Sequence, residues 1–179
     1  MAGKNTFPVP ETPLKILKPL TAGKIPFVIV GGAAIALHGI PRTTLDIDIV
    51  VPAESGTVNK LFSIIGKAGF FSSDKYIAGI MDRPDLLIGQ WITLQDKNGY
   101  ELVDVFFENS KEFKALLKRS EKVKGAKFNF YIASLRDLEK MKKISGRPID
   151  LADIVLIREK LGRKKYRKDV PSHSRTIVK

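Results

Sequence analysis

The chain has no cysteine among its 179 residues. Disulfide frameworks, thiolate metal sites and thiol nucleophiles are thereby excluded, and the absence fits a reducing cytoplasm. Long hydrophobic runs are missing too. The longest apolar stretch, Pro26 to Leu37, is too short to span a bilayer and is broken by Gly31-Gly32. The opening MAGKNTFPVP lacks the apolar centre of a signal peptide, so the expected location is the cytoplasm, with no membrane association. No Ser-His-Asp arrangement, P-loop, zinc-ligand spacing or internal repeat is present. Acidic residues are scarce, 19 against 31 Lys+Arg, which leaves a formal charge of +12. Such a surface attracts polyanions, and nucleic acid is the commonest in a cell. Solubility, or a Lys-rich thermophile-like composition, accounts for the excess equally well. Much of it lies in the C-terminal GRKKYRKDVPSHSRTIVK, which reads as a basic arm.

What is present suffices for one folded unit. Hydrophobic residues make up 44% of the chain, enough for a core without disulfides or a structural metal. Residues 1–10 read as disordered, with two prolines and a glycine in the run. Helical spacing predicts a helix over 11–22, and PFVIV at 26–30 reads as a buried strand. Gly31-Gly32 then opens a short helix ending near Gly39. LDIDIVV at 45–51 reads as a second strand, followed by a helix over 55–68. A hairpin is expected with arms at 87–95 and 100–107, its turn running from Asp96 to Gly99 through an Asn-Gly step. Residues 110–119 read as helix and FNFYI at 128–132 as a last strand. Ser134 followed by Asp137 resembles a capping arrangement for a helix to about Ser145. Gly146 ends it, and Pro148 suits the first turn of a helix to about Leu161. The fold class is α/β (α+β): a mixed sheet flanked by helices. The expected organisation is a disordered 1–10, an α/β domain over 11–133, a C-terminal helical pair over 134–161 and a basic tail over 162–179.

The chemistry concentrates between Gly31 and Val51. Asp46 and Asp48 are two apart on a predicted strand, so both carboxylates are expected to face the same way. Their neighbours Leu45, Ile47, Ile49, Val50 and Val51 are apolar. Two like charges placed together in such a setting need a positive neutraliser. Magnesium fits, since it prefers one or two carboxylates, retained waters and substrate phosphates. An exposed strand end, with the aspartates bound to backbone amides or Arg42, is the competing explanation. ELVDVFF tips the balance by setting Asp104 between Val103 and Val105 in a second apolar run. If those two strands are neighbours, three carboxylates meet. Two metal ions about 3.5–4 Å apart are the usual clamp for in-line displacement at phosphorus. Gly31-Gly32, between strand and helix, lets the backbone approach a ligand.

Gly-Gly, a short helix, Asp-x-Asp on the next strand and a third Asp on a later one together resemble the DNA polymerase β-type nucleotidyltransferase superfamily. HGIPRTTLDIDIVV resembles its small bacterial and archaeal members of the minimal, lincosamide-modifying and type IV abortive-infection toxin groups. LRDLEKMKKISGRPIDLADI is similar to theirs as well, and the likeness runs from about Pro26 to Leu161. The resemblance implies a nucleotidyltransferase fold and an EC 2.7.7-type transfer of NMP from an NTP, ATP included, by a two-metal mechanism. It implies Asp46, Asp48 and Asp104 as catalytic magnesium ligands, and Gly31, Gly32, Arg42 and Lys142 as nucleotide- or phosphate-binding residues. Lys142 would reach the triphosphate, with Lys140, Lys143 and Arg147 nearby. Asp150 and Asp153 would pair with Arg147 or Lys142 and fix the helices. Arg42 either neutralises the aspartates or contacts nucleotide.

Many superfamily members carry Gly-Ser where this chain has Gly31-Gly32, so the serine hydroxyl that would touch a phosphate is absent. His38 reads as structural, and Trp91, Tyr76 and Tyr131 as core aromatics able to stack a base. Open acceptors are RNA (tRNA included), a small molecule or a protein. The alternative is a catalytically silent nucleotide- or RNA-binding module, or a component of a toxin–antitoxin-type complex. A homo-oligomer is equally open.

Overall fold

Alternating apolar side chains build the centre of the sheet. Along Ile47–Pro52 (β2), Ile47, Ile49 and Val51 are buried, and along Glu101–Glu108 (β5) so are Val103, Val105 and Phe107. Successive side chains of a strand face opposite ways. These residues therefore line one face, and Asp48 and Asp104 stand on the other. The computed structural model describes residues 11–72, 80, 83–125 and 128–169, with side chains described only between 15 and 163. The expectations for residues 1–10, for Tyr76 and for 170–179 fall outside the described residues.

Among the described residues the sheet is mixed and has seven strands. Besides β2 and β5 these are β1 (Val28–Ile29), β3 (Phe71–Ser72), β4 (Trp91–Gln95), β6 (Glu121–Lys124) and β7 (Asn129–Ile132), in the order β3-β4-β5-β2-β1-β7-β6. β2 pairs with β5, and β1 with β7, in parallel; the other neighbours are antiparallel. The helices among the described residues are α1 (Glu11–Ala22), α2 (Gly31–Leu37), α3 (Ser55–Lys67), α4 (Pro84–Leu87), α5 (Ser110–Arg119), α6 (Leu135–Ser145) and α7 (Pro148–Asp169). Ile16, Leu17 and Leu20 of α1 and Val58, Leu61 and Ile65 of α3 join the strand residues in a single core. Phe62 stacks on Phe107, ring centres 6.4 Å apart. At about 25 cal/mol per Å² of apolar area removed from water, such a cluster is the main term holding the sheet to its helices. No helix among the described residues is long and apolar enough to cross a membrane.

Local signals explain most boundaries. Ser134 Oγ accepts from the Asp137 backbone N–H at 3.2 Å and donates to its carboxylate at 2.6 Å, which caps α6. Gly146, at φ +65°, closes that helix in the left-handed conformation. Asp96 accepts from the backbone N–H groups of Asn98 and Tyr100 and shapes the hairpin turn.

Several boundaries differ from the sequence expectation. The strand expected over 26–30 shortens to Val28–Ile29 because Val30 already caps α2 and Pro26 has no N–H to donate. The strand expected over 45–51 begins only at Ile47: the Thr44 hydroxyl bonds the Asp46 backbone carbonyl and carboxylate, a local alternative to the ladder. Asp46 thus precedes β2, and strand alternation does not govern its direction. The first hairpin arm starts at Trp91 rather than 87, since Pro84 nucleates α4 and Gly89 at φ +78° turns the chain. β3, β6 and α4 were not expected. EKVK in β6 has no apolar alternation to read, and it forms by pairing antiparallel with β7. α7 continues past Leu161 to Asp169, through Lys and Arg residues that favour helix.

Candidate active site

Parallel pairing of β2 with β5 sets Asp48 directly beside Asp104. On the other side of Asp104, antiparallel β4 places Thr93 opposite it, and the Thr93 hydroxyl donates to Asp104 Oδ1 at 2.7 Å. Asp46 is exposed and accepts from the Thr44 hydroxyl. Two of the three aspartates therefore have one carboxylate oxygen fixed by a threonine. Neither threonine stood out in the sequence. Thr44 belongs to the Arg-x-Thr-x-Asp run, and Thr93 shares the alternation of WITLQ; those are the signals that could have marked them.

A cleft of about 530 Å³ opens here, lined by Arg42 to Asp46 on one wall and by Thr93, Glu101, Val103 and Asp104 on the other. Asp48, next to Asp104 in the ladder, adjoins this lining. Burial, then the charge of Asp46, then that of Asp104, push the Asp48 carboxyl up to about 6; Lys142 and Arg147 pull the other way. Asp46 and Asp104 thus each act on Asp48 as like charges. Among the described residues, no three or more acidic or imidazole side chains are gathered closely enough to enclose a cation by themselves. Asp48 and Asp104 do supply the adjacent pair of oxygen donors that magnesium needs when waters and phosphates complete its shell. A cation there would relieve the repulsion that raises Asp48, so this donor set fits a divalent metal.

Gly31 is dictated by Asp48. Its φ is +61°, and a Cβ at that position would fall 1.7 Å from Asp48 Oδ2. Only glycine accommodates both the backbone and the carboxylate. Gly32 is buried against Thr44: a Cβ there would sit 3.2 Å from the Thr44 Oγ1. The hydroxyl that a serine at 32 would bring is absent, and Thr44 stands beside the vacant direction.

Lys142 is engaged in a buried ion network where α6 meets α7. Its Nζ donates to Asp150 Oδ1 at 2.7 Å and lies 2.9 Å from Asp153 Oδ2. The second contact is off the line of a hydrogen bond, since that oxygen has no hydrogen-bond partner, so it is a charge contact. Arg147 Nε donates to Asp150 Oδ2 at 2.9 Å, and Arg42 Nε to Asp153 Oδ1 at 3.0 Å. Burial would push the Asp150 carboxyl up, but bonds from Arg147 and Lys142 outweigh it and hold the group well below the usual carboxylate range. Three cations thus share two buried carboxylates, and the positive excess faces the aspartates: Lys142 and Arg147 both act on Asp48. Arg42 anchors the cleft wall to α7 and also lines the cleft.

His38 is structural: Nε2 lies 2.8 Å from the Ala133 carbonyl oxygen, and its side chain is 3% exposed. Lys143 pairs with Glu139, and Lys140 is exposed. Tyr131 is half-buried on β7. Trp91 is not a core residue; it is 58% exposed and stacked on Phe106.

Comparison with known proteins places this arrangement in a family. A sequence profile described as nucleotidyltransferase of unknown function (DUF6036) matches residues 14–161. No curated protein matches the sequence significantly. Among solved structures, ANT(2")-Ia in complex with adenylyl-2"-tobramycin is similar with a TM-score of 0.58 at 16% identity, over 88% of this chain and 92% of that one. The lincomycin-bound lincosamide antibiotic adenylyltransferase LnuA gives 0.59 at 13%, over 84% and 96%. A putative nucleotidyltransferase from Thermotoga maritima gives 0.53 at 16%, over 89% and 92%. At these identities the structural likeness establishes the fold.

Proposed function

The chain belongs to the DUF6036 family of nucleotidyltransferases, and from that premise we propose that it transfers a nucleoside monophosphate from an NTP to an acceptor hydroxyl in the Asp46–Asp48–Asp104 cleft. The observation that carries this reading is the register pairing of Asp48 with Asp104 on neighbouring parallel strands, opposite a glycine whose missing Cβ leaves room for the carboxylate.

Asp48 and Asp104, with Asp46 swinging from Thr44, would hold magnesium. Bound there, the metal would supply Lewis-acid neutralisation of the phosphoryl oxygens and lower the pKa of the acceptor hydroxyl. The rest falls to the chain's own groups. Asp104, with one oxygen held by Thr93, would turn the other to the metal or to the acceptor proton. The acceptor oxygen forms a bond to the α-phosphorus, the α–β bridging bond breaks, and pyrophosphate departs with that bond's electron pair. Arg42 on the cleft wall and the backbone at Gly31–Gly32 face the triphosphate. Lys142 contributes through its field while its Nζ stays on Asp150 and Asp153. Positioning and fixed charge of this kind dominate phosphoryl transfer.

The charge of +12 supports an RNA acceptor. The antibiotic-bound neighbours support a small molecule as the second reading. The test is incubation with each α-labelled NTP, magnesium, and RNA, protein or metabolite pools. Label should enter one pool, and Asp48→Asn should lower the rate at least about 100-fold with the fold intact. Equal labelling by the variant would refute the assignment and leave the silent binding module.

A further inference from the structure

Trp91 and Phe106 form the rung two residues along from Thr93 and Asp104, with Ile92 and Val105 between. β4 and β5 pair Thr93 with Asp104 and Trp91 with Phe106, and side chains two apart on a strand share a face. The indole therefore lies on the same side of the sheet as the Asp104 carboxylate, about 7 Å along the strand from Thr93. The two rings stack with centres 6.4 Å apart and planes 26° from parallel. One side of the indole is backed by Phe106, and the residue remains 58% exposed. Phe106 fixes the plane in advance, which lowers the entropy lost when a flat partner settles on it.

From this juxtaposition we propose that Trp91, backed by Phe106, is the platform on which an RNA acceptor stacks a base, presenting a ribose hydroxyl toward Asp104. Two residues of strand, about 7 Å, separate the platform's rung from that of the carboxylate. Every nucleobase has a π-face, so an aromatic platform holds single-stranded RNA without reading its sequence. The backbone of such an acceptor is a polyanion, which the chain's +12 excess attracts. A small apolar acceptor would use the ring alone and draw nothing from that charge. The proposal rests on the nucleotidyl-transfer reading for its choice of acceptor.

The experiment follows from composition: Trp91 is the 1 tryptophan of the chain, so its fluorescence reports directly on the platform. Full-length protein is titrated with a short unstructured oligoadenylate, and with inorganic polyphosphate as a polyanion without bases. Saturable quenching by the RNA but not by polyphosphate is expected. In fluorescence polarisation with end-labelled oligoadenylate, Trp91→Ala should weaken binding about 5- to 150-fold, the loss of one stacked base. Trp91→Phe should retain most of it, which separates stacking from damage to the fold. Absence of quenching, equal quenching by polyphosphate, or unchanged binding by Trp91→Ala would overturn the platform. Label transfer to a small molecule or protein without RNA quenching would overturn it while sparing the transfer chemistry. Quenching without transfer from any NTP would instead overturn the transfer reading, and with it the acceptor role.

Discussion

Replacing Asp48 by asparagine should make the metal-free protein more stable at neutral pH while abolishing transfer. The Asp48 carboxyl stands near 3.8 when unfolded and is raised to about 6 in the fold, by burial first and by Asp46 and Asp104 next. Below pH ~4 both states carry the proton, and this group costs nothing. As pH rises from about 4 to about 6 the unfolded chain releases the proton first, so native stability falls; above that window the penalty is fully present. At about 1.36 kcal/mol per pKa unit the ceiling is about 3 kcal/mol. Solvent in the open cleft screens part of it, which leaves about 1–2 kcal/mol. For a chain of this length that corresponds to a rise of about 2–8 °C in Tm. The assay is thermal unfolding of wild type and Asp48→Asn in chelator, from pH 4 to 8. The curves should converge near pH 4 and separate toward pH 7. Magnesium should then raise the wild-type Tm and leave the variant nearly unmoved. A variant no more stable than wild type at pH 7.5, or a gap independent of pH, would refute the reasoning.

Two further substitutions test the surroundings. Lys142→Met removes the shared cation from two carboxylates that are 0% and 2% exposed; it should lower stability by about 3–5 kcal/mol in urea titrations, and a loss under about 1 kcal/mol would mean the network is dispensable. Gly31→Ala forces a Cβ to 1.7 Å from Asp48 Oδ2 at a φ of +61°; transfer should fall at least as far as in Asp48→Asn, and a variant keeping a tenth of wild-type turnover would show that the carboxylate sits elsewhere during the reaction.

Much of this was legible in the chain because its informative residues obey simple periodicities. The alternation around Asp48 and Asp104 announced two strands with a carboxylate on the face opposite the core, and their pairing supplied the rest. Asp46 escaped that logic because Thr44 offers its backbone a competing hydrogen bond just ahead of β2. Thr93 was invisible for the opposite reason: threonine in a strand is ordinary, and only its partner across the ladder gives it meaning. The pairing of Asp150 and Asp153 with Arg147 or Lys142 was an implication of the family resemblance. Arg42 closing the same network from 111 residues away could not be foreseen. Trp91 looked like core because large aromatics usually are, and sequence alone carries no record of which end of a strand lacks a cover.

The two margins of the sheet differ from its interior. Among the described residues, β3 brings two residues to pairing at one margin; at the other, β6 carries Glu121, Lys122 and Lys124. A short border and a lysine-laden one both discourage an incoming strand. Fibrous growth by cross-chain laddering is disfavoured at such margins, and a companion that grips side chains leaves the backbone ladder as it stands.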